Sequence, residues 1–126
     1  MHTFGLLGKS LSHSFSKKYF TDKFSKLQLA DFEYLNMEIP LIENFPEMLQ
    51  TNAPEGFNVT IPYKESIISY LDELDPVSEA IGAVNTVKVL QKNGKQYLKG
   101  FNTDAHGFHQ LIKPFLKSQH TEALIL

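Results

Sequence analysis

The chain has 126 residues, enough for one compact core, with 42% hydrophobic and 21% charged side chains. Its net charge of −2 gives no electrostatic reason for a nucleic acid or an anionic membrane as partner, and the lack of cysteine excludes disulfides, thiolate metal sites and cysteine nucleophiles. All 12 basic residues are lysines, so an organic acid bound here meets no guanidinium fork and must be held by hydroxyls, backbone N–H groups or lysine. The first residues lack the basic and apolar regions of a signal peptide, and no apolar run approaches the ~20 residues that span a bilayer. The expectation is a cytoplasmic domain.

Residues 3–7 are apolar and run into Gly8, which predicts a buried strand ending in a turn. Ser14 or Ser16 is a candidate cap for a helix to about Leu27, with Phe15, Tyr19, Phe20, Phe24 and Leu27 as its apolar face. A second strand is predicted over 32–37, followed by Pro40, then a short helix over 42–49 and a polar loop over 50–55. Residues 57–61 alternate in strand fashion until Pro62 stops them. A helix over 65–74 comes next, and Pro76 opens another at its first turn. Residues 83–90 and 96–100, joined by Asn93 and Gly94, predict a hairpin with a type I′ turn. A helix over 104–116 is expected to turn Phe108, Leu111, Ile112 and Phe115 inward, and residues 122–126 to begin a further strand. Strands alternating with helices predict an α/β fold: an open twisted, mostly parallel sheet with one antiparallel hairpin strand, flanked by helices.

Polar residues gather where the predicted strands end, which is where open α/β sheets bind ligands. They are Ser12, His13, Ser14 and Ser16, then Thr60 and Lys64, then Asn85 and Thr86, and last Asn102, Thr103 and Asp104. Such a set suits a small polyhydroxylated acid: serines for a carboxylate, Asn and Asp for ring hydroxyls, Lys for proton transfer. Each also has a local reading. Ser14 and Ser16 serve equally well as helix caps, Lys64 as a solvated charge, and Asp104 as an N-cap. His106 and His109 stand three apart on a helix, but no third well-placed ligand accompanies them, so no metal is expected. No glycine pattern forms the G-x-G-x-x-G loop that cradles a dinucleotide.

Four segments, taken together, carry more than any residue alone. They are Gly8-Lys9-Ser10-Leu11-Ser12-His13-Ser14-Phe15-Ser16, Gly56-Phe57-Asn58-Val59-Thr60-Ile61-Pro62-Tyr63-Lys64-Glu65, Ile81-Gly82-Ala83-Val84-Asn85-Thr86 and Gly100-Phe101-Asn102-Thr103-Asp104. In order and spacing they resemble the shikimate dehydrogenase family, over essentially the whole chain. The resemblance implies reduction of 3-dehydroshikimate to shikimate with NADPH, on the route to chorismate and the aromatic amino acids. It implies a substrate-binding domain over 1–103, a linking helix over 104–120, and over 121–126 the first strand of a Rossmann domain that holds the NADP. Ser14 and Ser16 match the hydroxyls that hold the substrate carboxylate. Thr60, Asn85 and Asp104 match groups on the ring hydroxyls, and Lys64 matches the catalytic lysine, paired with Asp104. The expected partner is the small-molecule substrate, with no nucleic acid and no membrane; a homodimer is compatible with the resemblance.

Three positions depart from the family pattern: Lys17 stands where proline is usual, Tyr63 where histidine or phenylalanine is common, and Ala105 where glycine is usual. None removes a functional side chain. A quinate/shikimate dehydrogenase and a stand-alone shikimate-binding module are the alternatives.

Overall fold

A computed structural model describes residues 1–126. Six strands form one sheet in the order β2-β1-β3-β5-β6-β4. These are β1 (His2–Gly8), β2 (Phe32–Glu38), β3 (Gly56–Val59), β4 (Glu73–Leu74), β5 (Thr86–Lys92) and β6 (Lys95–Phe101). β1 runs parallel to β2 and β3, β4 runs parallel to β6, and β5 alone is antiparallel to its neighbours on both sides. The mostly parallel α/β sheet with one antiparallel hairpin strand is therefore the fold expected. Asn93 and Gly94 both take positive φ, 53° and 73°, as a type I′ turn demands.

The two faces of the sheet differ. Leu7, Phe57, Val59, Val87 and Leu98 form the larger core with Phe45, Met48 and Leu49 of α2 (Phe45–Asn52) and with Ile67. On the other face Leu6 and Tyr34 pack with Leu11 and with Phe20 and Phe24 of α1 (Ser16–Lys26). Alternation along β1 sends Leu6 and Leu7 to opposite layers, the period-two geometry of a strand covered on both sides. Gly5 lets β2 come close: a Cβ there would stand 2.7 Å from Leu35 O and 2.5 Å from Met37 Cε.

Several expected elements came out differently. Only Phe20 and Phe24 of the expected α1 face pack on the sheet; Phe15, Tyr19 and Leu27 are exposed. The expected 42–49 helix is a 3-10 turn, Ile42–Asn44, followed by α2, which reaches Asn52 and takes up part of the expected loop. β3 ends at Val59 rather than 61, and β5 begins at Thr86 rather than 83.

The expected 65–74 helix is only the 3-10 segment Ser66–Tyr70, after which the chain becomes the edge strand β4. Tertiary bonds override helix propensity there. Asp72 N–H donates to Leu98 O at 2.9 Å, Asp72 Oδ2 accepts the Leu98 N–H at 2.7 Å, and Lys99 pairs with Glu73 at 2.9 Å. The 104–116 helix shortens to α4 (Asp104–Ile112) with a 3-10 turn, Lys113–Phe115, and Phe108, Leu111 and Phe115 are exposed rather than inward. Residues 122–126 form no strand, since no neighbouring strand meets their N–H and C=O groups.

Pro76 does open a helix, α3 (Pro76–Ile81), and Asp75 caps it by accepting the Ser78 N–H at 2.9 Å. The Ser78 hydroxyl bond, with the backbone bonds behind it, holds the Asp75 carboxyl below its ordinary range, against the opposing effect of burial. The unfolded carboxyl titrates near pH 4, roughly. Above that pH the capping contribution is fully present, and it is lost as pH falls through the depressed native value. Asp75→Ala is expected to cost about 1 kcal/mol at neutral pH, and the difference from wild type to shrink in acid. Urea titrations at pH 7 and pH 3 check both parts.

Candidate active site

The C-terminal ends of β1, β3 and β6 share one edge of the sheet, and β5 begins there because it alone runs the other way. Each of the four segments noted in the sequence leaves or enters the sheet at that edge. After β1, Leu11 N–H donates to Glu38 Oε1 at 2.6 Å and Ser14 N–H to Leu11 O at 3.0 Å, which ties the turn down before α1 begins. Phe15 is the N-cap residue of α1, and no side chain caps that helix. Ser14 Oγ instead accepts the Ser16 N–H at 3.2 Å, which leaves its own proton free for a ligand. Ser14, Ser16 and Thr60 line one open groove of about 990 Å³ with Lys9, His13 and Pro62. Hydroxyl donors beside a lysine suit a carboxylate.

Lys64, Asn85 and Asp104 do not line that groove but form a neighbouring cluster after β3, before β5 and after β6. Lys64 Nζ donates to Asp104 Oδ2 at 2.6 Å, across 40 residues of sequence. Val84 N–H donates to Lys64 O at 2.7 Å and so pins the lysine's backbone to the segment entering β5. Asn85 grips Thr103 twice: its Nδ2 donates to Thr103 Oγ1 at 2.7 Å and its Oδ1 accepts the Thr103 N–H at 2.8 Å. Since Thr103 precedes Asp104, this grip sets where the carboxylate starts.

The capping role open to Asp104 belongs to Asn102, whose Oδ1 accepts the Ala105 N–H at 3.1 Å. Side-chain exposures of 34% for Lys64 and 54% for Asp104 mean that the pair adds no more than about 1 kcal/mol to stability. Stability is a weak reason for building it. His106 and His109 are exposed, and no group of three or more His, Cys, Asp or Glu side chains stands together as a metal would need.

Two residues behind this edge were assigned no site role in the sequence reading. Tyr34 is buried, and its hydroxyl donates to Asn58 Oδ1 at 2.8 Å. Burial pushes its phenol up to about 12, against the smaller lowering effect of the Ser16 side chain. Asn58 lies within β3, where asparagine is depleted, and within one of the four family segments; those were the signals available.

The residues present do not fit a dinucleotide. Gly5 and Gly8 are packed inside β1 against Met37 and Leu11, Gly56 and Gly100 lie in β3 and β6, Gly82 and Gly94 make turns, and Gly107 lies within α4, so none opens a phosphate cradle at a helix start.

Comparison with known proteins points to one family. The model of the shikimate dehydrogenase substrate binding domain matches residues 6–87. The chain is 40% identical over 111 residues to the shikimate dehydrogenase (NADP(+)) of Caldanaerobacter subterraneus subsp. tengcongensis, covering 87% of this chain and 38% of that protein. It is 36% identical over 124 residues to the Bacillus cereus protein of the same name, covering 98% of this chain and 43% of that one. Among solved structures, shikimate dehydrogenase 1 of Peptoclostridium difficile superposes with a TM-score of 0.78 at 39% identity, over 90% of this chain and 41% of that one. Shikimate 5-dehydrogenase of Thermus thermophilus, solved in complex with shikimate, gives 0.75 at 38% identity, over 90% and 42%. The chain thus spans about two fifths of the length of the curated relatives it matches, between 38% and 43% for these two. By fold, by motif and by these likenesses, the chain belongs to the family of the shikimate dehydrogenase substrate binding domain.

Proposed function

We propose that this chain is the substrate-binding part of an NADP-dependent shikimate dehydrogenase, which interconverts 3-dehydroshikimate and shikimate in the cytoplasm on the route to chorismate and the aromatic amino acids. The observation that carries the reading is the Lys64–Asp104 pair at 2.6 Å, joined across the sheet edge beside a groove of serine and threonine hydroxyls. The nicotinamide supplies hydride in such a reaction and is held outside these residues. Residues 104–120, which begin with α4, are read as the linking segment, and 121–126, without a strand partner here, as the segment that becomes the first strand of that nucleotide-binding domain once its neighbouring strands are present. The exposure of Phe108, Leu111 and Phe115 on the linking segment supports this division.

The residues of this chain bind the substrate and move its proton. Ser14 and Ser16 donate to its carboxylate, while Thr60, Asn85 and Asp104 meet the ring hydroxyls. A carbonyl oxygen that gains an electron pair needs a proton, which the Lys64 ammonium gives; in the reverse direction the neutral amine takes it from the hydroxyl. Asp104 accepts one Lys64 N–H and leaves the others for the substrate oxygen.

Shikimate titration followed by NMR tests the binding, and NADP⁺ reduction by the enzyme with its nucleotide-binding domain tests the activity. Reduction with shikimate and little with quinate is expected; comparable rates on both would favour a quinate/shikimate dehydrogenase. Ser14→Ala and Ser16→Ala are each expected to weaken shikimate binding by roughly 0.5–3 kcal/mol, the cost of a lost hydrogen bond to a charged group.

A further inference from the structure

Behind the residues proposed to meet substrate runs a chain of polar side chains across the sheet. Tyr34 on β2 bonds Asn58 on β3, Asn58 bonds Thr86 at the start of β5, Thr86 bonds Asn85, and Asn85 bonds Thr103. The direction of every proton in it follows from one backbone group. Thr103 N–H can only donate, so the Asn85 atom facing it at 2.8 Å is Oδ1. Thr86 Oγ1 lies 3.1 Å from the same Oδ1, so its hydroxyl donates there. The Thr86 oxygen is then an acceptor, and Asn58 turns Nδ2 to it at 3.2 Å. A 3.5 Å contact from that Nδ2 to Asn85 O, which also can only accept, agrees. Asn58 Oδ1 is left facing Tyr34, whose hydroxyl donates to it at 2.8 Å. A buried phenol, the buried Asn85 amide and the partly buried Asn58 amide thereby take a single hydrogen-bond arrangement.

The consequence lies at the open end. Asn85 Oδ1 already accepts two hydrogen bonds, so it has no lone pair left for a ligand, while one Nδ2 proton remains. Thr103 Oγ1 accepts from Asn85 and keeps its own proton. Asp104, by contrast, only accepts when ionised. We infer that Asn58 and Thr86 are positioning residues, which hold Asn85 as a donor-only group so that a ring hydroxyl must accept from Asn85 while it donates to Asp104. Their role is to set the polarity of hydroxyl recognition, without touching the substrate. The inference rests on the substrate reading above.

Two ligands separate this role from mere support of the fold: shikimate, and 1-cyclohexene-1-carboxylate, which has the same ring and carboxylate and no hydroxyls. Thr86→Val keeps the β-branch and removes the hydroxyl. It is expected to raise the Kd for shikimate roughly three- to tenfold, the cost of one misdirected hydrogen bond. The Kd for the analogue should stay unchanged, and Thr86→Ser should restore shikimate binding. Equal loss of both ligands, unchanged shikimate affinity in Thr86→Val, or no rescue by serine would overturn the inference. Tyr34→Phe keeps the ring packing and removes the first donor, and it carries the same test should the valine variant fail to fold. If the wild-type protein binds neither ligand, the substrate reading itself falls. The Asn85 side-chain amide resonances then decide the positioning alone: Thr86→Val must shift them, and unmoved resonances would sink it.

Discussion

Lys64→Ala is expected to lower kcat by about two to four orders of magnitude in the enzyme proposed here, the usual loss for a general acid–base group. KM should change less, because the carboxylate and most ring hydroxyls are assigned to other side chains. The pair's geometry is the basis. Lys64 Nζ sits 2.6 Å from Asp104 Oδ2 on a backbone anchored by Val84, so a substrate oxygen beside that ammonium meets a proton already oriented. Steady-state rates of NADP⁺ reduction with shikimate at saturating cofactor check it. A variant whose KM rises while kcat holds would make Lys64 a binding group only. Lys64→Arg is not expected to rescue, since a guanidinium does not release its proton near neutral pH.

Phe45→Ala is expected to cost about 3–5 kcal/mol, the largest effect on stability among these substitutions. Its ring is 1% exposed and packs on Phe57 and Tyr70, with centroids 5.8 and 5.4 Å away. Against a typical stability of roughly 5–15 kcal/mol for one domain, such a loss is a large fraction of the whole. Tyr70 belongs to the short helical segment that follows Lys64, so the same cavity loosens the support of the site. Denaturant titration should show the midpoint falling with little change in slope. A cost below about 1 kcal/mol would mean that the core collapses into the space, contrary to the close packing around the ring.

Much of the fold was legible because its signals are local. The apolar run to Gly8, the alternation broken by Pro62, and Asn93-Gly94 between two strand-like runs each report a neighbourhood of a few residues. β4 was not legible: its two residues become a strand only because the flanking Asp72 and Asp75 bond Leu98 and Gly100, more than twenty residues away. The α1 face was misjudged for a related reason. Helical spacing groups Phe15, Tyr19, Phe20, Phe24 and Leu27, but only the sheet decides which of them find partners, and it takes Phe20 and Phe24.

The candidate site divides in the same way. Residue types and their order along the chain were enough, by themselves, to single out Ser14, Ser16, Thr60, Lys64, Asn85 and Asp104 and to suggest the family, because the motifs are contiguous strings. Capping chemistry left Ser14, Ser16 and Asp104 with a second reading that local sequence had no means to remove. Tertiary structure gives the cap positions of α1 and α4 to Phe15 and Thr103, lets Asn102 receive the Ala105 N–H and turns Asp104 to Lys64, while Ser14 keeps a local bond from the Ser16 N–H. It alone also decided that Asn85 bonds Thr103 through both ends of its amide and that Tyr34, Asn58 and Thr86 stand behind it. A hydrogen bond depends on two groups meeting at about 3 Å with the right polarity. For groups 18 to 40 residues apart, that meeting is fixed by strand order and register, which no short stretch of sequence contains.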